Sequence, residues 1–101
     1  MIGGVSMAEA NLSLQIIPVV EEDRIYAIVD KVIKVIQESH LKYVVGPMET
    51  TIEGDVDTLL NLVKKSLEVC KEAQVPRALA VVKIDYKPSG VTIDEKISKY
   101  R

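Results

Sequence analysis

Glu53 and Asp85 are two carboxylates accompanied by Ser13, Gln15, Thr51 and Lys83, and all six fall in segments that alternate polar with apolar residues. A carboxylate accepts hydrogen bonds from an exocyclic amine, and hydroxyls with a carboxamide can complete the edge of a heterocyclic ring. The set therefore suits holding an amino-heterocycle. Two carboxylates also suit general acid–base chemistry, but no nucleophile, metal-ligand set or phosphate-cradling glycine loop accompanies them, and an enzyme is not expected. The competing structural explanation is a solvated sheet face on which Lys83 pairs with Asp85 or Glu53 across strands. Such faces are common, so the residue pattern by itself favours that explanation.

The other reactive side chains carry less. His40 is the sole histidine, so no His-rich metal site can be built, and its place near a helix end suits complementing the helix dipole. Cys70 is alone and falls on an apolar helical stripe, which makes it a small core residue and rules out an internal disulfide. The stretch from Val45 to Gly54 reads as a tight hairpin followed by a glycine cap, yet a hairpin does not require the adjacent Thr50 and Thr51, or Glu53.

The elements that must position these groups follow from periodicity. Alternation from Asn11 to Pro18 sets Leu12, Leu14 and Ile16 on one strand face and Asn11, Ser13 and Gln15 on the other. Glu21 to Asp23 opens a helix whose apolar positions are Ile25, Ile28, Val29, Val32 and Ile36. Lys42 to Val45 and Met48 to Glu53 form a hairpin around Gly46-Pro47. Gly54 is the expected N-cap of a second helix with Val56, Leu59, Leu60, Val63, Leu67 and Cys70 as its stripe. Ala78 to Tyr86 is the fourth strand, and Thr92 with Glu95 forms a capping box for a short tail helix from Ile93 to Tyr100.

The order strand, helix, strand, strand, helix, strand predicts an α+β fold: a ferredoxin-like βαββαβ antiparallel sheet of order 4-1-3-2, two helices on one face and a short C-terminal helix. Residues 1–7 read as a flexible N-terminus, with Met7 a candidate native start and the residues before it a candidate expression artefact, and 8–101 as a single domain. The chain has 101 residues, 48% of them hydrophobic, enough for one core and no second domain. A net charge of −2 with interspersed signs gives no footprint for nucleic acid or an anionic membrane. Apolar runs reach about five residues, against the roughly 18 of a membrane-spanning helix. A lone cysteine and no export signal lead to an expected cytoplasmic location.

Three stretches together resemble a known family: Ser13-Leu-Gln-Ile-Ile-Pro18, Lys42-Tyr-Val-Val-Gly-Pro47 followed by Thr50-Thr-Ile-Glu-Gly54, and Ile84-Asp-Tyr86 with Ile93-Asp-Glu-Lys-Ile-Ser-Lys-Tyr-Arg101. They are similar to the small thiamine-binding protein family, also called MTH1187/YkoF-like, over nearly the whole chain. The resemblance implies non-catalytic binding of thiamine or its hydroxymethylpyrimidine portion between subunits, as ligand rather than cofactor. It also implies self-assembly through the sheets, and a carrier, buffer or sensor role. Ser13, Thr51, Glu53 and Asp85 match the family pattern in type and spacing, Tyr43 and Thr50 flank them, and Gln15 and Lys83 stand where members place different polar groups. Lys83 beside a thiazolium would be repulsive unless a carboxylate neutralised it, a cost that the pyrimidine alone escapes.

Apolar Ile17, Val44, Leu79 and Val81 share the open face with the polar set, which predicts a homotetramer built as a dimer of dimers. A structural or regulatory self-association module without a ligand is the alternative function. The tail after Gly90 is expected to reach across a neighbouring subunit, and Glu53 and Asp85 to face one pocket with the first strand between them.

Overall fold

Period-2 alternation builds the strands and period-3.6 spacing the long helices, and the computed structural model describes residues 8–101. The expectation for residues 1–7 lies outside the described residues. The elements are β1 (Ala10–Pro18), α1 (Glu22–Glu38), β2 (Tyr43–Val45), β3 (Thr50–Gly54), α2 (Val56–Glu72), β4 (Ala78–Tyr86) and α3 (Ile93–Ile97), with a 3-10 turn at Ser98–Tyr100. The sheet runs β2-β3-β1-β4 with every neighbouring pair antiparallel, which is the 4-1-3-2 order of the ferredoxin-like fold. β1 is bonded on both sides: Asn11 opposes Glu53 and Asp85, and Ser13 opposes Thr51 and Lys83.

Leu12, Leu14, Ile16 and Ile52 turn toward the helices and meet Ile28, Val32 and Ile36 of α1 and Leu59, Leu62 and Cys70 of α2 in one buried cluster. Each side chain of this size contributes about 1.5–3 kcal/mol on full burial. Burial also pushes the Cys70 thiol above its ordinary pKa, leaving it a packing group.

Four expectations need correction. The buried line of α2 runs through Leu59, Leu62, Ser66 and Cys70, while Leu60 and Leu67 are exposed. At roughly 100° per residue, Leu60 and Leu67 lie at the margin of a broad apolar arc, and Ser66 enters the core because its hydroxyl donates to the Leu62 carbonyl at 2.8 Å. Gly54 ends β3 instead of capping α2; an added Cβ there would lie 3.3 Å from Leu41. The cap is Asp55. On β4 the helix-facing residues are not core: Val82, Ile84 and Tyr86 are 36%, 43% and 57% exposed, since α2 covers only part of this edge strand and Ala78 is its one residue packed against the buried cluster. Finally, the tail packs on its own chain's sheet, burying Val91 and Ile93.

Asp55 accepts from the Thr58 backbone N–H at 3.0 Å and from the Thr58 hydroxyl at 2.7 Å, and these bonds hold its carboxyl below the ordinary value of 3.8. A depressed folded-state pKa adds stability above 3.8 that disappears as pH falls through the lowered value. Asp55→Ala should therefore cost about 1 kcal/mol at neutral pH, and its melting curve should converge on that of the parent chain at low pH.

Candidate functional site

Beyond β4 the chain turns at Gly90 (φ 119), a left-handed conformation that glycine adopts without strain, and returns over the open sheet face. Thr92 caps α3 by accepting from the Glu95 backbone N–H at 3.1 Å, as its capping box predicts. Three polar contacts then hold α3 against the sheet. The Ile93 N–H donates to Glu53 Oε1 at 2.7 Å, Lys96 Nζ to Asp85 Oδ2 at 2.5 Å, and Lys42 Nζ to Asp94 Oδ2 at 2.6 Å. The two lysine pairs are about half exposed, so each contributes little, roughly 0–1 kcal/mol. Glu53 makes the stronger contact, since its charged acceptor meets a part-buried N–H.

Between α3 and the sheet lies a recess with two lobes that share Asn11, Thr51 and Lys96. The lobe toward β2, about 240 Å³, has apolar walls of Val44, Ile93 and Ile97, with Glu49 and Arg101 at its rim. The lobe toward β4, about 340 Å³, takes in Ser13, Lys83 and Asp85. Each lobe has the size for one ring system, at or below the low end of the 300–1,000 Å³ range for drug-sized ligands. Asn11 is 2% exposed; its Nδ2 donates to the Val91 carbonyl over a long 3.4 Å, and its Oδ1 finds no partner among the described residues. A buried acceptor left unpaired costs about 1–3 kcal/mol.

The expected site residues divide by strand parity. Ser13, Thr51, Lys83 and Asp85 gather at the recess. Glu53 lies on the same face and in the same row as Asn11 and Asp85, but its carboxylate is taken by α3 and does not line either lobe. Gln15 also belongs to that face, one step further along β1. Tyr43 and Thr50 point the other way: Tyr43 packs against the core, and Thr50 lines a separate recess between α1 and the β2–β3 turn. That recess, about 300 Å³, is walled mainly by apolar residues such as Ile25, Val29, Ile33 and Met48, with Gln15, Glu49 and Thr50 also lining it. Sequence reasoning assigned Asn11 and Val44 to the open face but gave neither a role in binding, and it gave none to Glu49, Lys96, Ile97 or Arg101. The signal for the last three was the tail sequence, which could not reveal that α3 folds back onto its own sheet. Among the described residues no group of three His, Cys, Asp or Glu side chains could hold a metal ion, and no helix is long and apolar enough to cross a membrane.

A family model described as thiamine-binding protein matches residues 12–101. The chain belongs to the thiamine-binding protein family. A member from Clostridium perfringens, UPF0045 protein CPE1503, is 56% identical over 95 residues, covering 94% of this chain and all of that one. A Thermotoga maritima structure described as a candidate thiamine biosynthesis/salvage protein is 36% identical with a TM-score of 0.85, over 92% of this chain and 99% of that one. A Bacillus cereus structure described as a domain of unknown function, DUF77, is 43% identical with the same TM-score, over 94% and 92%. Thiamine-binding family membership thus extends over the α3 side of the recess, and the matched range begins one residue after Asn11.

Proposed function

We propose that the chain binds thiamine or its hydroxymethylpyrimidine portion without converting it, in the recess beneath α3, and that it does so as a dimer of dimers. The observation that carries this reading is the recess itself: apolar walls on both sides of a slot, with Thr51 and Lys96 as donors and Asn11 as a buried acceptor at its base, in a chain of the thiamine-binding family. A flat, amine-bearing ring satisfies such a slot. Lys96 and Arg101 line it, so the pyrimidine is better suited to it than a cationic thiazolium. Membership of the thiamine-binding family accords with binding rather than turnover.

A second reading, a self-association module without a small ligand, has one observation in its favour: β4 is apolar and exposed on both faces. In the dimer-of-dimers reading that feature supplies the interfaces. The free β4 edge serves one contact, and Ile17, Leu79 and Val81, at the end of the open face away from α3, serve the other. Isothermal titration with thiamine and with hydroxymethylpyrimidine, on protein stripped of carried-over ligand, separates the readings. Saturable heat with the pyrimidine is expected; silence with both compounds removes the ligand and leaves the module.

A further inference from the structure

We infer that Asn11 selects the ligand by accepting a hydrogen bond from its exocyclic amine, while Glu53 and Asp85 act as latches for α3; the inference rests on reading the recess as a pyrimidine site. Asn11 stands near the start of β1, opposed by Glu53 on one side and Asp85 on the other, so its Cβ is fixed by two ladders. Its amide orientation is fixed as well. The Val91 carbonyl can only accept, so the NH₂ faces it, and a flipped amide would set two acceptors against each other. Oδ1 is thereby buried without a partner, on a residue that lines both lobes of the recess.

The two flanking carboxylates are the more obvious partners for an amine, but each is already engaged. Glu53 Oε1 receives the Ile93 N–H and Asp85 Oδ2 receives Lys96 Nζ. Their chemistry goes into holding α3 over the recess. Thr51, diagonal to Asn11 across the β1–β3 ladder, lines both lobes as well and offers a hydroxyl donor on the same face. An acceptor and a donor on one recess wall are the complements of the exocyclic amine and a ring nitrogen of a 4-aminopyrimidine.

The test crosses residue with ligand. Hydroxymethylpyrimidine and its 4-desamino analogue are titrated into the full chain and into Asn11→Ala. The parent chain should prefer the amine-bearing compound by about tenfold, and in Asn11→Ala the two affinities should draw together. Asn11→Gln, which keeps both the carbonyl acceptor and the NH₂ donor that the Val91 carbonyl needs, should restore part of the preference; a role limited to packing would not produce that rescue. Asn11→Ser stands in for the alanine variant should that one fail to melt cooperatively. A preference that survives loss of the amide overturns this inference alone and leaves the recess as the site. A parent chain that binds neither compound overturns the proposed function, and this inference with it.

Discussion

A chain ending at Gly90 is expected to keep its sheet and long helices and to lose pyrimidine binding by at least about a hundredfold. The main buried cluster draws on β1, β3, α1 and α2, and no residue beyond Ala78 belongs to it or packs against it. Truncation therefore leaves the core in place. It does remove Val91 and Ile93, both buried, and the backbone bond from Val91 to the Ala8 carbonyl, so melting should fall by several degrees. Binding suffers more, because Ile93, Lys96, Ile97 and Arg101 form one whole side of the slot and nothing replaces them. Glu53→Ala should give an intermediate loss by freeing the N-terminus of α3 while leaving its wall residues in the chain. Circular dichroism paired with titration calorimetry checks both. A truncated chain that binds like the full one would place the ligand elsewhere, with the apolar recess beside Met48 the next site to examine.

Val82→Lys is expected to turn an assembling chain into a monomer at micromolar concentration. β4 offers nine residues of backbone on its outer edge, and the side chains above and below that edge are apolar and exposed. Unprotected strands of this kind pair with other chains. A two-fold axis through Val82 would pair β4 with its copy along the full strand, with Val82 opposite Val82, Ala80 opposite Ile84 and Lys83 opposite Val81. The two Lys83 side chains avoid direct opposition in that register. Lysine at position 82 would place two like charges face to face on the axis and charge the edge, the device by which natural edge strands resist pairing. Light scattering over a dilution series gives the result directly. A parent chain that is already monomeric removes the assembly, and a Val82→Lys variant that keeps the parent mass moves the contact off this edge.

Most of the frame was legible because each strand's alternation has a single reading. Leu12, Leu14 and Ile16 could face only the helices, and the strand order followed from handedness once the element order was known. Parity also carried Ser13, Thr51, Lys83 and Asp85 to one surface, yet it was overlooked for Tyr43 and Thr50, which alternate onto the other. What periodicity cannot carry is the covering of a face. Two helices over a four-stranded sheet leave most of β4 exposed, and nothing in Val82, Ile84 or Tyr86 announces that, since their pattern matches that of a buried strand. The tail is a similar case. A five-residue helix has little stability alone, so its docking depends on Glu53 and Asp85, residues whose types suggest a ligand as readily as a lid.

The ladder between β1 and β4 joins the first strand of the described chain to the last, along the full length of both. Such pairings close late, because the entropy of bringing distant segments together must be met before any rung forms. During synthesis, β1 can meet α1 and later β3, but one of its edges stays open until the final quarter of the chain has been made. Over that interval an apolar strand has a vacant row of amides and carbonyls. Refolding should accordingly be slow for a chain of this size, and a nascent chain halted before Ala78 should be captured by other chains far more readily than one released after Tyr86.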